Sequence, residues 1–278
     1  MFQIIFSGLY LIGDDHNLLY FFIPVFIIAG VKKLIQTTGS LLKNIQQLFW
    51  QNYCRLCNQV ISEDDKHFCS ECWSQISFCF VDSFCRHCGR EISPYGQLPQ
   101  GCAVCLNENF HFDSIACAGV YKPPLSSLIV RFKLADRTHL LPVLADFARN
   151  AVYKADFFQL ADYIVPVPQH WRRRFQRGFN QSALIAKNLR LGDARFNTDV
   201  VKIRHTQDQT GLTFAARKRN LRGAFAVRKG HNFKGKNVCL VDDVKTTGAT
   251  LDECAKVLKD AGAQKVFAFV LAVAGQKE

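Results

Sequence analysis

Eight cysteines between Cys54 and Cys105 fall into four Cys-x-x-Cys pairs: Cys54 and Cys57, Cys69 and Cys72, Cys85 and Cys88, Cys102 and Cys105. Eleven residues separate the first two pairs and thirteen the last two, so one unit recurs after 31 residues. Tetrahedral Zn²⁺ takes four thiolates at about 2.3 Å, and two such pairs complete one closed site, which is structural rather than catalytic. Asn58 and Gly89, which follow the first pair of each unit, are types that accept the positive φ of a tight thiolate turn. The spacing predicts two tandem structural zinc ribbons; a cross-braced pairing, first with third and second with fourth, stays open. A thioredoxin-like redox site needs one such pair on a βαβ unit, not four repeated ones. His67 and His87 lie close enough in sequence to ligate, but with every cysteine present they are expected on the surface.

A second constellation lies near the C-terminus, where Val238-Cys239-Leu240-Val241 runs into Asp242-Asp243-Val244-Lys245-Thr246-Thr247-Gly248-Ala249-Thr250 and then a helical pattern. A strand that passes through a small, hydroxyl-rich turn into a helix N-terminus presents free N–H groups and a positive dipole end to an anion. Thr246, Thr247 and Thr250 add hydroxyls, and Gly248 lets the backbone close on a phosphate. Asp242 and Asp243 suit a ribose, accepting from its 2- and 3-hydroxyls directly or through Mg²⁺. An acidic helix cap without a ligand is the plainer alternative.

Net charge narrows the partners. The chain carries +12, and residues 170–230 alone hold 15 Lys and Arg against Asp193, Asp199 and Asp208. The whole excess therefore sits in one block, a local field for phosphate groups. Within it, arginines alternate with Trp171, Phe175, Phe179, Phe214 and Phe225, a mixture suited to pyrophosphate or single-stranded nucleic acid. For most single residues of the block, a solvated face over core aromatics is the simpler reading.

Positioning these groups requires a folded frame, and 49% hydrophobic content supplies one and excludes disorder as the default. Residues 54–105 have few long apolar runs and need a metal staple. From His111 onward the pattern reads as strand (Ser114–Tyr121), helix from Pro123-Pro124 through Phe132, helix (Leu140–Tyr153), strand (Tyr163–Val167), helix (Gln181–Arg190), strand (Val200–Arg204), strand (Val238–Val241), helix (Ala249–Ala261) and strand (Val266–Val273). That alternation predicts an α/β domain with a mostly parallel sheet, flanking helices and a core of its own. Cys79, Cys117, Cys239 and Cys254 are expected as reduced core thiols, as in a cytoplasmic protein.

Leu41, Leu42, Ile45, Leu48 and Phe49 recur at helical spacing before the first ribbon. Upstream, the apolar run Leu18–Val31 has 14 residues, interrupted by Pro24, against the roughly 20 that a helix needs to span a bilayer. No transmembrane span is expected. The run is either a membrane-touching anchor ahead of Lys32 and Lys33 or, the preferred reading, a poorly ordered leader. An over-extended reading frame would give such a leader, since the chain has no second Met.

The run from Val238 to Thr250 resembles the phosphoribosyl-diphosphate signature of type I phosphoribosyltransferases, with Lys245 where that signature usually has an aliphatic residue. The departure leaves two outcomes for Lys245: the loop holds its phosphate differently, or the side chain points to solvent. Ile164-Val165-Pro166-Val167-Pro168-Gln169-His170, Arg172–Arg174, Arg177-Gly178-Phe179-Asn180-Gln181, Gln209-Thr210-Gly211-Leu212, Arg217–Asn220 and Arg222-Gly223-Ala224-Phe225 resemble the ComF family of competence-associated proteins. Ala118-Gly119-Val120-Tyr121 and Ile129-Val130-Arg131-Phe132-Lys133, after the cysteine module, do so too.

The resemblance covers residues 41 to 275 and implies a type I phosphoribosyltransferase fold with a small mobile hood. It gives a leader at 1–40, a double zinc ribbon at 41–110 and a phosphoribosyltransferase-like domain at 111–278. It also implies a cytoplasmic role in natural DNA uptake and transformation, beside other proteins of that machinery. Two functions follow as expectations. In one, a phosphoribosyltransferase binds phosphoribosyl diphosphate or a nucleotide, with Asp242, Asp243 and Mg²⁺ on the ribose. Lys245, Thr246, Thr247, Gly248, Ala249 and Thr250 then surround the phosphate. In the other, a non-catalytic module grips single-stranded DNA. Arg172, Arg173, Arg174, Arg177, Asn180, Arg217 and Arg219 serve pyrophosphate in the first and nucleic acid in the second.

Overall fold

The computed structural model describes residues 52–62, 65–81, 83–106, 108–206 and 214–275, with the side chains of 135–137, 173, 174, 176, 214, 215 and 218 outside the description. The leader, the helical pattern at 41–49 and the Gln209–Leu212 run also lie outside the described residues.

The first ribbon contributes a short antiparallel hairpin, β1 (Asn52–Tyr53) with β2 (Val60–Ile61), and a helix, α1 (Ser70–Ser77). Then follow β3 (Ser114–Val120), α2 (Leu125–Phe132), a 3-10 turn (Ala135–Leu140), α3 (Leu141–Tyr153) and β4 (Tyr163–Pro166). After these come α4 (Trp171–Arg177), α5 (Gln181–Asn188), β5 (Arg195–Phe196), β6 (Val200–Lys202), α6 (Phe214–Leu221) and β7 (Phe225–Val227). The chain closes with β8 (Asn237–Lys245), α7 (Ala249–Asp260) and β9 (Lys265–Val273).

Five strands form a wholly parallel sheet in the order β3-β9-β8-β4-β5. The central strands read as near-continuous apolar runs because helices cover both faces. Successive side chains of β8 divide accordingly: Cys239 and Val241 join the core under α2, α3 and α5, while Val238 and Leu240 join the core under α7. A separate antiparallel hairpin pairs β6 with β7.

Two sequence expectations change here. The strand that the sequence ends at Val241 continues to Lys245, because Asp242 pairs with Val270, Val244 with Ala272 and Lys245 with Val273 of β9. Both carboxylates are thus carried on a strand, and the turn shrinks to Thr246–Gly248. Nor is the sheet's core independent of the ribbons. Ile61, Phe68, Ile76 and Cys79 belong to the same core as Leu125, Phe132, Leu144 and Phe147, because α1 and the first hairpin turn their apolar sides onto α2 and α3.

The ribbons also cover the exposed edge of β3, a strand edge otherwise open to pairing with another chain. Ile115 N–H donates to the Arg86 carbonyl and Val120 N–H to the Cys79 carbonyl, each at 2.8 Å. The approach is so close that a Cβ at Gly119 would lie 2.8 Å from the Cys79 oxygen. Among the described residues, no helix is long and apolar enough to cross a membrane.

Candidate functional site

Asp242 and Asp243 emerge at the C-terminal end of β8, the edge at which open α/β sheets carry their ligand crevices. The Ser182 hydroxyl, from the first turn of α5, donates to Asp242 Oδ1 at 2.9 Å, as does the Asp243 N–H. Burial, reinforced by the neighbouring Asp243 charge, pushes the Asp242 carboxyl up to about 7 against these two hydrogen bonds. Asp243 Oδ2 pairs with Lys133 Nζ at 2.9 Å, and its Oδ1 accepts from Val244 N–H at 2.7 Å. Two carboxylates are thereby held on a rigid strand with one cation opposite them.

The turn into α7 pivots on Gly248, at φ +82°. Glycine is favoured there by the left-handed backbone, and a Cβ would also press on the Lys245 stem, with Cε 2.8 Å away. Thr247 Oγ1 accepts from Ala249 N–H at 3.3 Å, and Arg217 Nη1, from α6, donates to Thr246 Oγ1 at 2.7 Å. The turn leads into the positive end of a twelve-residue helix, whose first amides need acceptors from outside the helix. Lys245 does not point to solvent. It is 4% exposed, with Nζ 5.7 Å from the centroid of Phe110, and burial lowers its ammonium below the ordinary lysine value. The alternation of β8 changes phase at the carboxylates: Val241 and Val244 both pack on the α2 and α3 side, and Lys245 turns to the opposite side, against Phe110.

The basic block divides by environment. On α4, Trp171 and Phe175 stand one turn apart, 66% and 88% exposed, and the Arg172 guanidinium lies 5.3 Å from the Trp171 centroid. Arg177 is half-buried at the end of α4, and Arg219 is exposed on α6. The side chains of Arg173, Arg174 and Phe214 lie outside the description. Phe179 and Phe225 pack inward, the first against Phe132 and the second in the α7-side core. Asn180 is a helix cap rather than a free ligand group: its Oδ1 accepts from Ala183 N–H at 3.4 Å and its Nδ2 donates to the Val167 carbonyl at 3.1 Å.

The cysteines resolve into tandem quartets, Cys54/Cys57/Cys69/Cys72 and Cys85/Cys88/Cys102/Cys105, with all sulfurs of a quartet within 4.8 Å of one another. A tetrahedron with metal–sulfur bonds of about 2.3 Å has edges of about 3.8 Å. The observed separations are 3.8 Å for Cys57–Cys69, 3.7 Å for Cys85–Cys105 and 3.8 Å for Cys88–Cys102, far from the ~2.05 Å of a disulfide. Asn58 and Gly89 take φ of 60° and 72°, the knuckle conformation that the spacing demands. Burial alone would raise the Cys54 thiol, but the N–H groups of Cys57, Cys69 and Leu56 bring it down to about 6, whereas burial pushes Cys72 of the same quartet up. Neither histidine belongs to a quartet, and neither is a plain surface residue. His67 bonds Asp146 of α3 at 3.2 Å, and His87 packs on Phe110 with ring centroids 5.5 Å apart.

Sequence reasoning missed Lys133 and Ser182 as neighbours of the carboxylates. Lys133 ends the Ile129–Lys133 run and Ser182 follows the Gly178–Gln181 run, so both adjoin quoted motifs; only their distance from Asp242 in sequence hid them.

Comparison with known proteins accords with this geometry. Residues 177–278 match the phosphoribosyl transferase domain family, and residues 45–106 match the double zinc ribbon domain family. Competence protein F of Haemophilus influenzae is 35% identical over 231 residues, covering 81% of this chain and 98% of that protein. The DNA utilization protein YhgH of Salmonella typhimurium is 34% identical over 218 residues, covering 77% and 93%. Competence protein ComFC of Bacillus subtilis is 25% identical over 236 residues, covering 78% and 93%. The chain belongs to the ComF family of competence and DNA-utilization proteins, in which a double zinc ribbon precedes a phosphoribosyl transferase domain.

Proposed function

We propose that the α/β domain binds phosphoribosyl diphosphate, or a related ribose 5-phosphate ligand, and that the protein handles DNA taken up in natural competence alongside the uptake and transformation proteins. The observation that supports it best is the delivery of Asp242 and Asp243 by β8 directly before a glycine-pivoted helix N-terminus. In this reading the amides and hydroxyls of Thr246–Thr250 donate to the 5-phosphate, while the carboxylates accept from the ribose hydroxyls. Two adjacent carboxylates are hard oxygen donors that fit Mg²⁺, which would neutralise charge on the pyrophosphate when bound. Arg174 or Arg177 is assigned to the pyrophosphate in this reading. As an enzyme the protein would be a pentosyl transferase working by position and electrostatics, with no protein nucleophile. Twelve free cysteines, eight of them in the quartets, suit a reducing cytoplasm.

Calorimetry with Mg²⁺ and millimolar phosphoribosyl diphosphate tests the reading: heat from the wild type and none from the Asp242→Asn/Asp243→Asn double variant. Affinity should improve as pH rises through about 7, because the buried Asp242 carboxyl must ionise to hold the cation. Silence of the wild type rejects the ligand.

A second reading, a non-catalytic single-stranded-DNA module, is favoured by the exposed Trp171, Phe175 and Arg172 on α4. Exposed aromatics stack bases without sequence preference, and guanidinium groups grip phosphate. Filter binding with single- and double-stranded DNA, with and without phosphoribosyl diphosphate, separates the two readings, since competition places both ligands on one surface. Replacing Arg172, Arg173 and Arg174 with Ala should make the slope of log affinity against log salt shallower by about 2, at ~0.7 per single-strand phosphate.

A further inference from the structure

We infer that the strap leaving the second ribbon, Glu108–Phe112, is the floor of the phosphate turn, and that Phe110 and Lys245 are positioning residues through which the closed ribbon sets the shape of that turn. This rests on the reading of the Thr246–Thr250 turn as a ribose 5-phosphate site.

Four contacts form the link. Arg90, next to the Gly89 knuckle, pairs with Glu108 at 2.7 Å and pins the start of the strap to the ribbon. Phe110 packs both against the four-cysteine core with Ile92 and against the α/β core, where it stacks on Phe112 with centroids 4.7 Å apart. A Cβ on Gly248 would lie 3.6 Å from Phe110 Cε1, so the ring sits directly against the pivot of the turn, with the Lys245 stem beside it. His111 then ties the strap to the first turn of α7: its N–H donates to Asp252 Oδ1 at 2.7 Å, and its Nδ1 lies 2.8 Å from the same oxygen.

The second ribbon's own buried core is its four cysteines, so its fold depends on the metal. The floor under Gly248 therefore keeps its ribbon-side anchors, the Arg90–Glu108 pair and the cysteine core, only while that ribbon is closed. Lys245 strengthens the link because its side chain, where the phosphoribosyl-diphosphate signature has an aliphatic residue, is buried against both the Phe110 ring and the Gly248 pivot. A coupling of this kind is reciprocal: whatever orders the turn must also hold the ribbon closed.

Cysteine alkylation in the presence of a chelator, read by peptide mass spectrometry on the zinc-loaded full chain, reports the opening of each ribbon separately. Saturating ribose 5-phosphate should slow alkylation of Cys88 and Cys102 about fivefold or more and leave Cys57 and Cys69 unchanged. Lys245→Met should erase the difference while retaining both zinc ions. In ligand-free protein, Phe110→Ala should speed amide exchange at residues 248–251, and Phe110→Leu should restore most of the protection.

Equal slowing at both ribbons would overturn the inference, because it signals only general stabilisation by a bound ligand. Unchanged exchange at 248–251 in Phe110→Ala would overturn it as well. If ribose 5-phosphate has no effect on the wild type while exchange still responds to Phe110→Ala, the ligand assignment fails and the positioning role stands.

Discussion

In the first ribbon Cys57 is exposed and Cys69 half-buried, whereas all four cysteines of the second are buried. The first gives the fully or largely buried Ile61, Phe68, Ile76 and Cys79 to the large core under α2 and α3; the second has a buried core of cysteines alone and lends only the partly buried Phe84 and Phe110 to the α7-side core. One ligand set thus does two jobs. In the first ribbon the metal clasps the outer end of a segment that is already anchored by apolar packing. In the second the metal is the core. The ribbon with the better-protected thiols is the one that depends more heavily on them.

The largest expected effect follows from that contrast. Cys88→Ser should remove a site worth about 10–16 kcal/mol in apparent terms. Residues 85–105 then lose amide-exchange protection, and bound zinc falls from two equivalents to one. Cys57→Ser should disturb its ribbon far less, because Phe68 and Ile76 keep their places in the core. Equal loss of protection in the two variants would break the comparison.

A second substitution removes the first ribbon's anchor instead of its metal. Phe147 of α3 stacks on Phe68 and Trp73, with centroids 6.2 Å away in each case, and meets Phe80 at a tilt with centroids 4.7 Å apart. Phe147→Ala should cost about 3–5 kcal/mol in thermal or denaturant unfolding. Chelator access to Cys57 and Cys69 should rise with it, while Cys88 and Cys102 stay protected.

That contrast was not legible in the sequence, although each ribbon was. Ligand pairs are local, and their spacing alone gives the tandem quartets. Which quartet is buried depends on Phe147 and Phe110, whose partners lie up to about 140 residues away in the chain. The phosphate turn shows the same division. Gly248 and the Thr run could be read directly, but Asp242 and Asp243 look like turn residues until the pairing of Asp242, Val244 and Lys245 with β9 keeps them on the strand. Lys245 was not legible, since strict alternation from Val241 would put it under α2, α3 and α5, whereas it lies against Phe110 on the side of α7 and the second ribbon. The hairpin strand Phe225–Val227 was missed because three residues carry too little periodicity.

A third, smaller effect tests the strap. Asp252 is a buried acid in the first turn of α7 whose Oδ1 takes both the His111 amide and its ring nitrogen. Asp252→Asn should cost about 1–3 kcal/mol, the worth of charge-assisted hydrogen bonds. The loss should appear as faster exchange at His111 and a lower unfolding midpoint, with alkylation of Cys57 unchanged.

The smallest effect concerns the first ribbon's polar contact with α3. His67 Nε2 lies 3.2 Å from Asp146 Oδ2, and Arg149 pairs with the other carboxylate oxygen. Burial alone would raise the Asp146 carboxyl, but hydrogen bonds from His67 and Arg149 outweigh it and hold the group below the usual 3.8. A depressed folded value means that the contribution is present above the unfolded value and is lost as pH falls through the folded one. Both groups are partly exposed, so solvent screening limits the pair to about 1 kcal/mol or less. Asp146→Asn should therefore lower stability slightly at pH 7, and the difference should shrink as pH falls through the folded carboxyl's value, below 3.8. Denaturant titrations of both proteins at pH 7, at low and at high salt, measure the charge contribution, and a deficit that salt does not reduce would mean that Asp146 acts through packing and not through its charge. The first ribbon would then be held to α3 by apolar contact alone, sharpening its difference from the second.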